Sequence, residues 1–371
     1  MQRYNFTMNF GLKPAKKLGN SIKIKLICKK AGYMIDFRSD TVTRPTAAML
    51  KAMQEAVVGD DVFGEDPTIN ELERLCADMF TMEAGLFCPS GTMTNQIAIK
   101  CHTQPGDEVI CEALSHVYLY EGGGIASNSG ASVQLIPGNF GRITAAQVAA
   151  SINNKEDVHR PLSRLVSLEN TANRGGGTCY NFDDIQLIKE VCINNNLSLH
   201  LDGARVFNAI VAKKEKPEQY GRVFDSVSVC LSKGLGAPVG SVLLGNRDFI
   251  KKARRIRKAM GGGMRQAGYL AAGALYALKH HVERLEQDHH HAALLVDALQ
   301  KKDFVGMIPP VETNIILFEV KGRFTPKSLV EVLASKGILA IAMSPTQVRI
   351  VTHLDISESM VKQTIREIES L

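Results

Sequence analysis

No apolar run in this 371-residue chain approaches the ~20 residues of a membrane span, and glycine breaks the longest ones. A spanning helix is therefore not expected. The eight cysteines form no CxxC pair, and no Cys/His spacing suits zinc. Scattered through apolar stretches, they read as reduced core residues of a cytoplasmic protein. There is no internal repeat, and no low-complexity tract beyond the short HHH at 289–291. Acidic residues are missing altogether from residues 1–33, which hold eight of the 44 lysines and arginines. The remaining body carries 36 basic against 38 acidic residues, so the formal charge of +6 is no body-wide attraction to nucleic acid. The basic segment lacks a long apolar h-region and is poor in serine and arginine, unlike a targeting peptide. It reads as a disordered arm or a start-site artefact, with the folded protein beginning near Met34.

What is present is ordinary for a globular enzyme-sized chain: 45% hydrophobic and 22% charged residues. That length favours one large domain and a small one. Short apolar runs alternate with longer amphipathic segments. The runs are GLFC (85–88), EVIC (108–111), SVQLI (132–136), RLVSLEN (164–170), LSLHLD (197–202), DSVSVCLS (225–232) and GSVLLGN (240–246). Helices are expected near 144–154 and 183–195, and one long helix from about Met264 to Lys302. This alternation predicts an α/β fold built on a mainly parallel sheet covered on both faces. NIILFEV, a helix near 325–336, ILAIAMS, QVRIVTH and a helix near 356–370 predict a small α+β unit. The expected division is 34–280 and 281–371, with 1–33 outside both.

Ligands of open α/β sheets bind beyond the carboxyl ends of the strands. Lys233, Asp202, Ser90–Thr92 and His116 all fall just past predicted strands and form one candidate site. A lysine at the mouth of an apolar strand is costly if it stays charged out of water. PSGT (89–92) opens a helix whose free N–H groups suit an anion, although a plain N-cap by Ser90 or Thr92 explains the same residues. Asp202 in HLDGAR either caps the following helix or pairs with a protonated heterocycle, and Arg205 lies one turn on. GLGAPVG (234–240) fails as a dinucleotide loop because a strand follows it and Pro238 interrupts it. A lysine, an aspartate 31 residues before it and a phosphate-type turn are the parts of a pyridoxal phosphate site. Condensing the lysine with an aldehyde also resolves its burial.

From Met34 onward the chain resembles the low-specificity L-threonine aldolases of the fold type I pyridoxal phosphate enzymes. The matching stretches are MIDFRSDTVTRPT (34–46), VGDDVFGEDPT (58–68), PSGTMTNQ (89–96), SLENT (167–171), LHLDGARVFNA (199–209), CLSKGLGAPVGS (230–241), GGGMRQAG (261–268) and VRIVTHLD (348–355). The resemblance implies Lys233 as the Schiff-base lysine and Asp202 as partner of the pyridine nitrogen. It makes Gly91 and Thr92 phosphate contacts, and Arg265 a residue reaching a phosphate in a neighbouring subunit. It sets His116 against the cofactor ring, Arg205, Arg349 and Ser39 around the substrate carboxylate, and His159 near the substrate hydroxyl. His116 and His159 are the candidate bases.

The implied reaction cleaves Cα–Cβ of L-threonine, L-allo-threonine or similar β-hydroxy amino acids to glycine and an aldehyde, in a homodimer or homotetramer sharing active sites. No metal, nucleic acid or membrane partner is expected. Two positions depart from the family pattern: Phe63 stands where many relatives have tyrosine, and Ala172 where they commonly have histidine. Two other readings remain open: a lyase or racemase of the same fold breaking a different bond, and a non-catalytic binding or assembly protein. His102, the histidines at 280, 281 and 289–291, and the run Arg254, Arg255, Arg257, Lys258 are expected on solvated faces.

Overall fold

Seven short runs of apolar and β-branched residues do form one sheet. The computed structural model describes residues 34–371; the reading of the basic arm at 1–33 lies outside the described residues. The strands are β1 (Ala84–Cys88), β2 (Glu108–Glu112), β3 (Ser132–Ile136), β4 (Ser163–Glu169), β5 (Ser198–Gly203), β6 (Ser226–Cys230) and β7 (Ser241–Gly245). They lie side by side in the order β1–β7–β6–β5–β4–β2–β3. β7 runs antiparallel to both its neighbours, while β6, β5, β4, β2 and β3 are mutually parallel. β2, β6 and β7 are buried along their whole length, as strands covered on both faces must be.

Because β4, β5 and β6 are parallel and adjacent, Glu169, Asp202 and the residues after Cys230 emerge at the same edge of the sheet. A second, antiparallel sheet follows, from β8 (Ile315–Glu319), β9 (Ile341–Ala342) and β10 (Gln347–Val351), in the order β9–β10–β8. The apolar core is divided accordingly. The largest cluster covers one face of the large sheet, with Phe80, Phe87, Leu201 and Val229 among its members, and two smaller ones, holding Leu86 and Leu243 and Val109 and Leu165, cover the other. Another gathers Leu295, Phe304, Phe318 and Ile350, and it also takes in Ile35 and Phe37. Ile35–Asp36 pairs in parallel with Ile338–Leu339, and the Val351 N–H donates to the Phe37 carbonyl at 2.9 Å. The segment 38–43 is thereby held against the C-terminal core, where it meets the large sheet's edge.

The long helix expected from Met264 to Lys302 is two helices, Gly268–His280 and Leu285–Leu299. The break has a cause: His281 turns inward and its Nδ1 lies 2.8 Å from the Leu235 carbonyl oxygen, two residues past Lys233. His281 and His291 are buried, not solvated, and His289 lies against the Asn208 amide at 3.2 Å. Burial pushes the His289 imidazole down to about 4, so it is neutral at physiological pH. The basic run at 254–258 is likewise only partly solvated. Arg257 is buried, donating to Asp61 and to the Phe87 carbonyl at 2.6 Å each, while Arg254 reaches Glu73 at 2.8 Å. Every third or fourth residue of that helix faces the sheet, and the arginine there is matched with an acid.

Candidate active site

A cavity of about 320 Å³ opens at the carboxyl edge of the large sheet, lined by Ser39, Thr41, His116, Tyr120, Glu169, Asn173, Ala204, Arg205, Lys233, Met343 and Arg349. A larger depression of about 670 Å³ runs along the helix Arg247–Ala259, but only Ala84, Ile250 and basic side chains line it. The smaller cavity holds the acids, histidine and lysine that chemistry needs.

Lys233 enters from the loop after β6, which must turn sharply. Gly236, at φ +81°, closes that turn with its N–H donating to the Lys233 carbonyl at 2.8 Å. Among the described residues the Lys233 ammonium has no hydrogen-bond or ion-pair partner. Asp202 ends β5 and is buried. Its Oδ1 accepts from the Ala204 N–H at 3.1 Å in the turn after the strand, but the helix starts only at Val206 and has no side-chain cap, so the helix-capping reading does not hold. Its Oδ2 is buried with no partner among the described residues. A buried carboxylate oxygen left without a donor is expensive unless a ligand supplies one.

His116 starts the short helix His116–Leu119, its own N–H held by Glu169 Oε2 at 2.7 Å. Its Nδ1 lies 3.0 Å from Glu121 Oε1. Burial presses the imidazole pKa down, but the bond to Glu121 and the Asp202, Glu121 and Glu169 charges outweigh it and leave the pKa raised. Glu169, at the end of β4, is buried beside Asp202; burial first and that neighbouring charge second push its carboxyl up to about 7. It also accepts from the Asn173 N–H at 2.8 Å. His116, Glu121 and Asp202 offer atoms within 4.8 Å of one another, spacing that a metal could use. Both Glu121 oxygens, however, already accept from the Asn95 and Gln96 amides at 2.9 and 2.6 Å. His116 and Glu121 are a hydrogen-bonded pair, and Asp202 stands beside them without a bond to either.

Arg205 is not simply open to an anion. Its Nε and Nη2 each donate to Asp40 at 2.6 Å in a buried fork, which leaves Nη1 for a ligand. Burial pushes the Asp40 carboxyl up, but Arg205 overrides it and holds the pKa at about 2. Arg349, on β10, donates Nη1 to Asn173 at 2.9 Å and Nη2 to the Arg38 carbonyl at 3.1 Å, and its buried Nε has no partner among the described residues. Burial and the nearby Arg205 lower its pKa to about 10. Ser39 stands at the cavity mouth, its Oγ accepting from the Thr41 N–H at 3.2 Å.

The helix Gly91–His102 points its N-terminus at the same edge. Ser90 Oγ accepts from the Met93 N–H at 3.2 Å, so the capping reading is correct for Ser90, while the first N–H groups, at Gly91 and Thr92, keep no intrahelical partner. Ser241 Oγ is buried without a partner and would stand 3.4 Å from a Cβ at Gly91, a second unmet polar atom at this helix end.

Asp202, Gly91 and Thr92 do not line this cavity, although Asp202 lies within 4.8 Å of His116; His159 and Arg265 do not line it either. His159 lies exposed in the turn before β4, at the opposite end of that strand from Glu169, its N–H donating to Asp157 Oδ1 at 3.0 Å. Arg265 is exposed and pairs with Asp60 at 2.8 Å. Phe63 is 74% exposed, and Ala172 is buried. Participants that escaped the sequence reading include Asp40, Glu169, Glu121 and Asn95. Glu169 was visible in SLENT as an acid ending a strand, the signal already used for Asp202. His102, expected on the surface, is instead stacked on Phe249 with its Nε2 2.8 Å from Ser226 Oγ.

The beta-eliminating lyase family model matches residues 36–322. The chain belongs to this family. Within it, the chain is 43% identical over 331 residues to the low specificity L-threonine aldolase of Escherichia coli (strain K12), covering 89% of this chain and 97% of that one. It is 42% identical over 337 residues to low-specificity L-threonine aldolase 1 of Arabidopsis thaliana, covering 89% and 94%. Among solved structures, the threonine aldolase of Leishmania major shares the fold with a TM-score of 0.79 at 20% identity, covering 91% of this chain and 99% of that one.

Proposed function

We propose that this member of the beta-eliminating lyase family is a pyridoxal phosphate-dependent aldehyde-lyase that cleaves L-threonine, L-allo-threonine and related β-hydroxy amino acids to glycine and an aldehyde. The observation that carries the reading is an unpartnered lysine in the cavity, at a strand's end, together with a buried Asp202 oxygen that lacks a donor and belongs to a carboxyl group within 4.8 Å of the cavity's His116. Asp202 Oδ2 suits a pyridinium N–H, Lys233 suits the cofactor's aldehyde, and the Gly91 and Thr92 N–H groups with Ser241 suit its phosphate. Bound there, the cofactor supplies an electron sink for the pair left when Cα–Cβ breaks.

The chain's own residues do the rest. Arg205 Nη1 and Arg349 Nε are donors left for a substrate carboxylate, with Ser39 beside them. Fixing that carboxylate orients the bond to be broken. His116 is the base within reach of the cavity for the β-hydroxyl proton, since its Nδ1 is committed to Glu121 and its ring lines the cavity. A catalytic role for His159, and the phosphate contact of Arg265, require a second copy of the chain. We therefore read the enzyme as a homodimer or homotetramer with shared sites. No helix among the described residues is long and apolar enough to cross a membrane, and the seven described cysteines are free, six of them buried, in keeping with a cytoplasmic enzyme. We read the chain as a large cofactor-binding part, 34–280, and a small part, 281–371; the two largest apolar clusters support this except that Leu285 packs in the first and Ile35 and Phe37 in the second.

The test is a product assay. Holoenzyme given L-threonine should release glycine and acetaldehyde in equal amounts, and Lys233→Ala should release neither. Release of ammonia and a keto acid instead would favour the other-lyase reading.

A further inference from the structure

A chain of buried polar groups runs beneath the cavity, from the opposite edge of the sheet to His116. His102 Nε2 lies 2.8 Å from Ser226 Oγ, which lies 2.8 Å from His200 Nδ1. His200 Nε2 lies 3.2 Å from Asn95 Oδ1. Asn95 Nδ2 donates to Glu121 Oε1 at 2.9 Å, and that same oxygen meets His116 Nδ1 at 3.0 Å. Glu121 Oε2 takes the Gln96 amide at 2.6 Å. Glu121, Asn95, Gln96, His200 and Ser226 are all buried.

The donors in this chain can be assigned in only one direction. A carboxylate has no hydrogen to give, so Asn95 turns its NH₂ to Glu121 and its carbonyl to His200. Burial holds His200 and His102 neutral, at about 3 and about 4. The proton of His200 is then on Nε2, its Nδ1 accepts from Ser226, and the Ser226 oxygen accepts from His102. Each group is locked by the next, and the last fixed element is the Glu121 carboxylate. Two amides and one imidazole share that carboxylate, whose side chain is fully buried.

We propose that Glu121, held by Asn95 and Gln96, is a positioning residue for His116: it keeps the imidazole proton on Nδ1 and turns Nε2 toward the cavity. The groups facing His116 are Glu121, Glu169 and Asp202, with Tyr120, Lys233 and Arg205 lining the same space. Of these acids Glu121 alone touches the imidazole ring.

The test is a histidine NMR titration of full-length holoenzyme carrying ¹³C- and ¹⁵N-labelled histidine, with the His116 signals assigned by their loss in His116→Asn. Neutral His116 should be the Nδ1–H tautomer. Glu121→Gln should lower its titration midpoint by about one pH unit or more, and Glu121→Asp should restore most of the shift. The acid limb of kcat/KM should move with it, a change that loss of fold stability alone would not produce. An unmoved midpoint in folded Glu121→Gln overturns the proposal. If that variant does not fold, an Nε2–H tautomer in the unaltered protein overturns it instead, and the Nδ1–H tautomer upholds it. The kinetic arm rests on the aldolase reading, whereas the NMR arm reads the imidazole whatever reaction the enzyme performs.

Discussion

Single residues in this site are kept in unusual states by burial set against a specific partner. Asp40 and Arg205 are a buried pair, so removing one charge strands the other. Asp40→Ala should destabilise the fold by roughly 3–5 kcal/mol in a denaturant titration at neutral pH. Because folding lowers the Asp40 pKa from 3.8 to about 2, its contribution is present above pH 3.8 and fades as pH falls through about 2. Glu169 works in the opposite sense. Its carboxyl is raised from 4.5 to about 7, so the folded state binds the extra proton between those values. The contribution is full below pH 4.5 and is lost as pH rises through about 7. The unfolding midpoint of the cofactor-free protein should therefore fall between pH 5 and pH 8 more steeply than that of Glu169→Gln. Equal slopes would remove Glu169 as the source. Lys233 and Asp202 were legible in the sequence because each ends an apolar strand where charge is out of place. Glu121 and Asn95 were not, since their meaning lies in a contact between residues 26 apart that periodicity cannot register.

At the scale of elements, the parallel strands do most of the positioning. Glu169, Asp202 and the Lys233 loop meet because β4, β5 and β6 share direction and register. The strands were legible because buried parallel strands are continuous apolar runs. The break at His281 was not, because amphipathic periodicity runs on through residues 281–284 and the stop comes from a tertiary bond to Leu235. The histidines of those helices misled for a related reason: a neutral, hydrogen-bonded imidazole is as easily buried as solvated. The Lys233 loop has little room for larger residues. Gly240 sits at φ +109°, and a Cβ there would stand 2.5 Å from the Phe87 ring. Gly240→Ala should cost on the order of 1–3 kcal/mol in strain, read as a lower thermal midpoint. It should also weaken cofactor retention, because the loop carries the anchoring lysine.

For the whole molecule, the position of the N-terminal segment matters most. Ile35 and Phe37 pack in the C-terminal core, yet the residues just after them bring Ser39 and Thr41 to the cavity and Asp40 to Arg205. That arrangement was hidden in the linear order. Val62, Phe63 and Tyr269 are exposed close to Arg265 in sequence or through the Asp61–Arg265 backbone bond. If sites are shared, Lys233→Ala and Arg265→Ala chains, each inactive alone, should regain activity when their subunits are exchanged; a mixture that stays inactive would confine each site to one chain.

The point of cofactor attachment is the most direct test of the proposed chemistry. Reducing holoenzyme with borohydride and mapping its peptides by mass spectrometry should find the pyridoxyl group on Lys233 and on no other lysine. A pyridoxyl group elsewhere, or none on the Lys233 peptide, would contradict it.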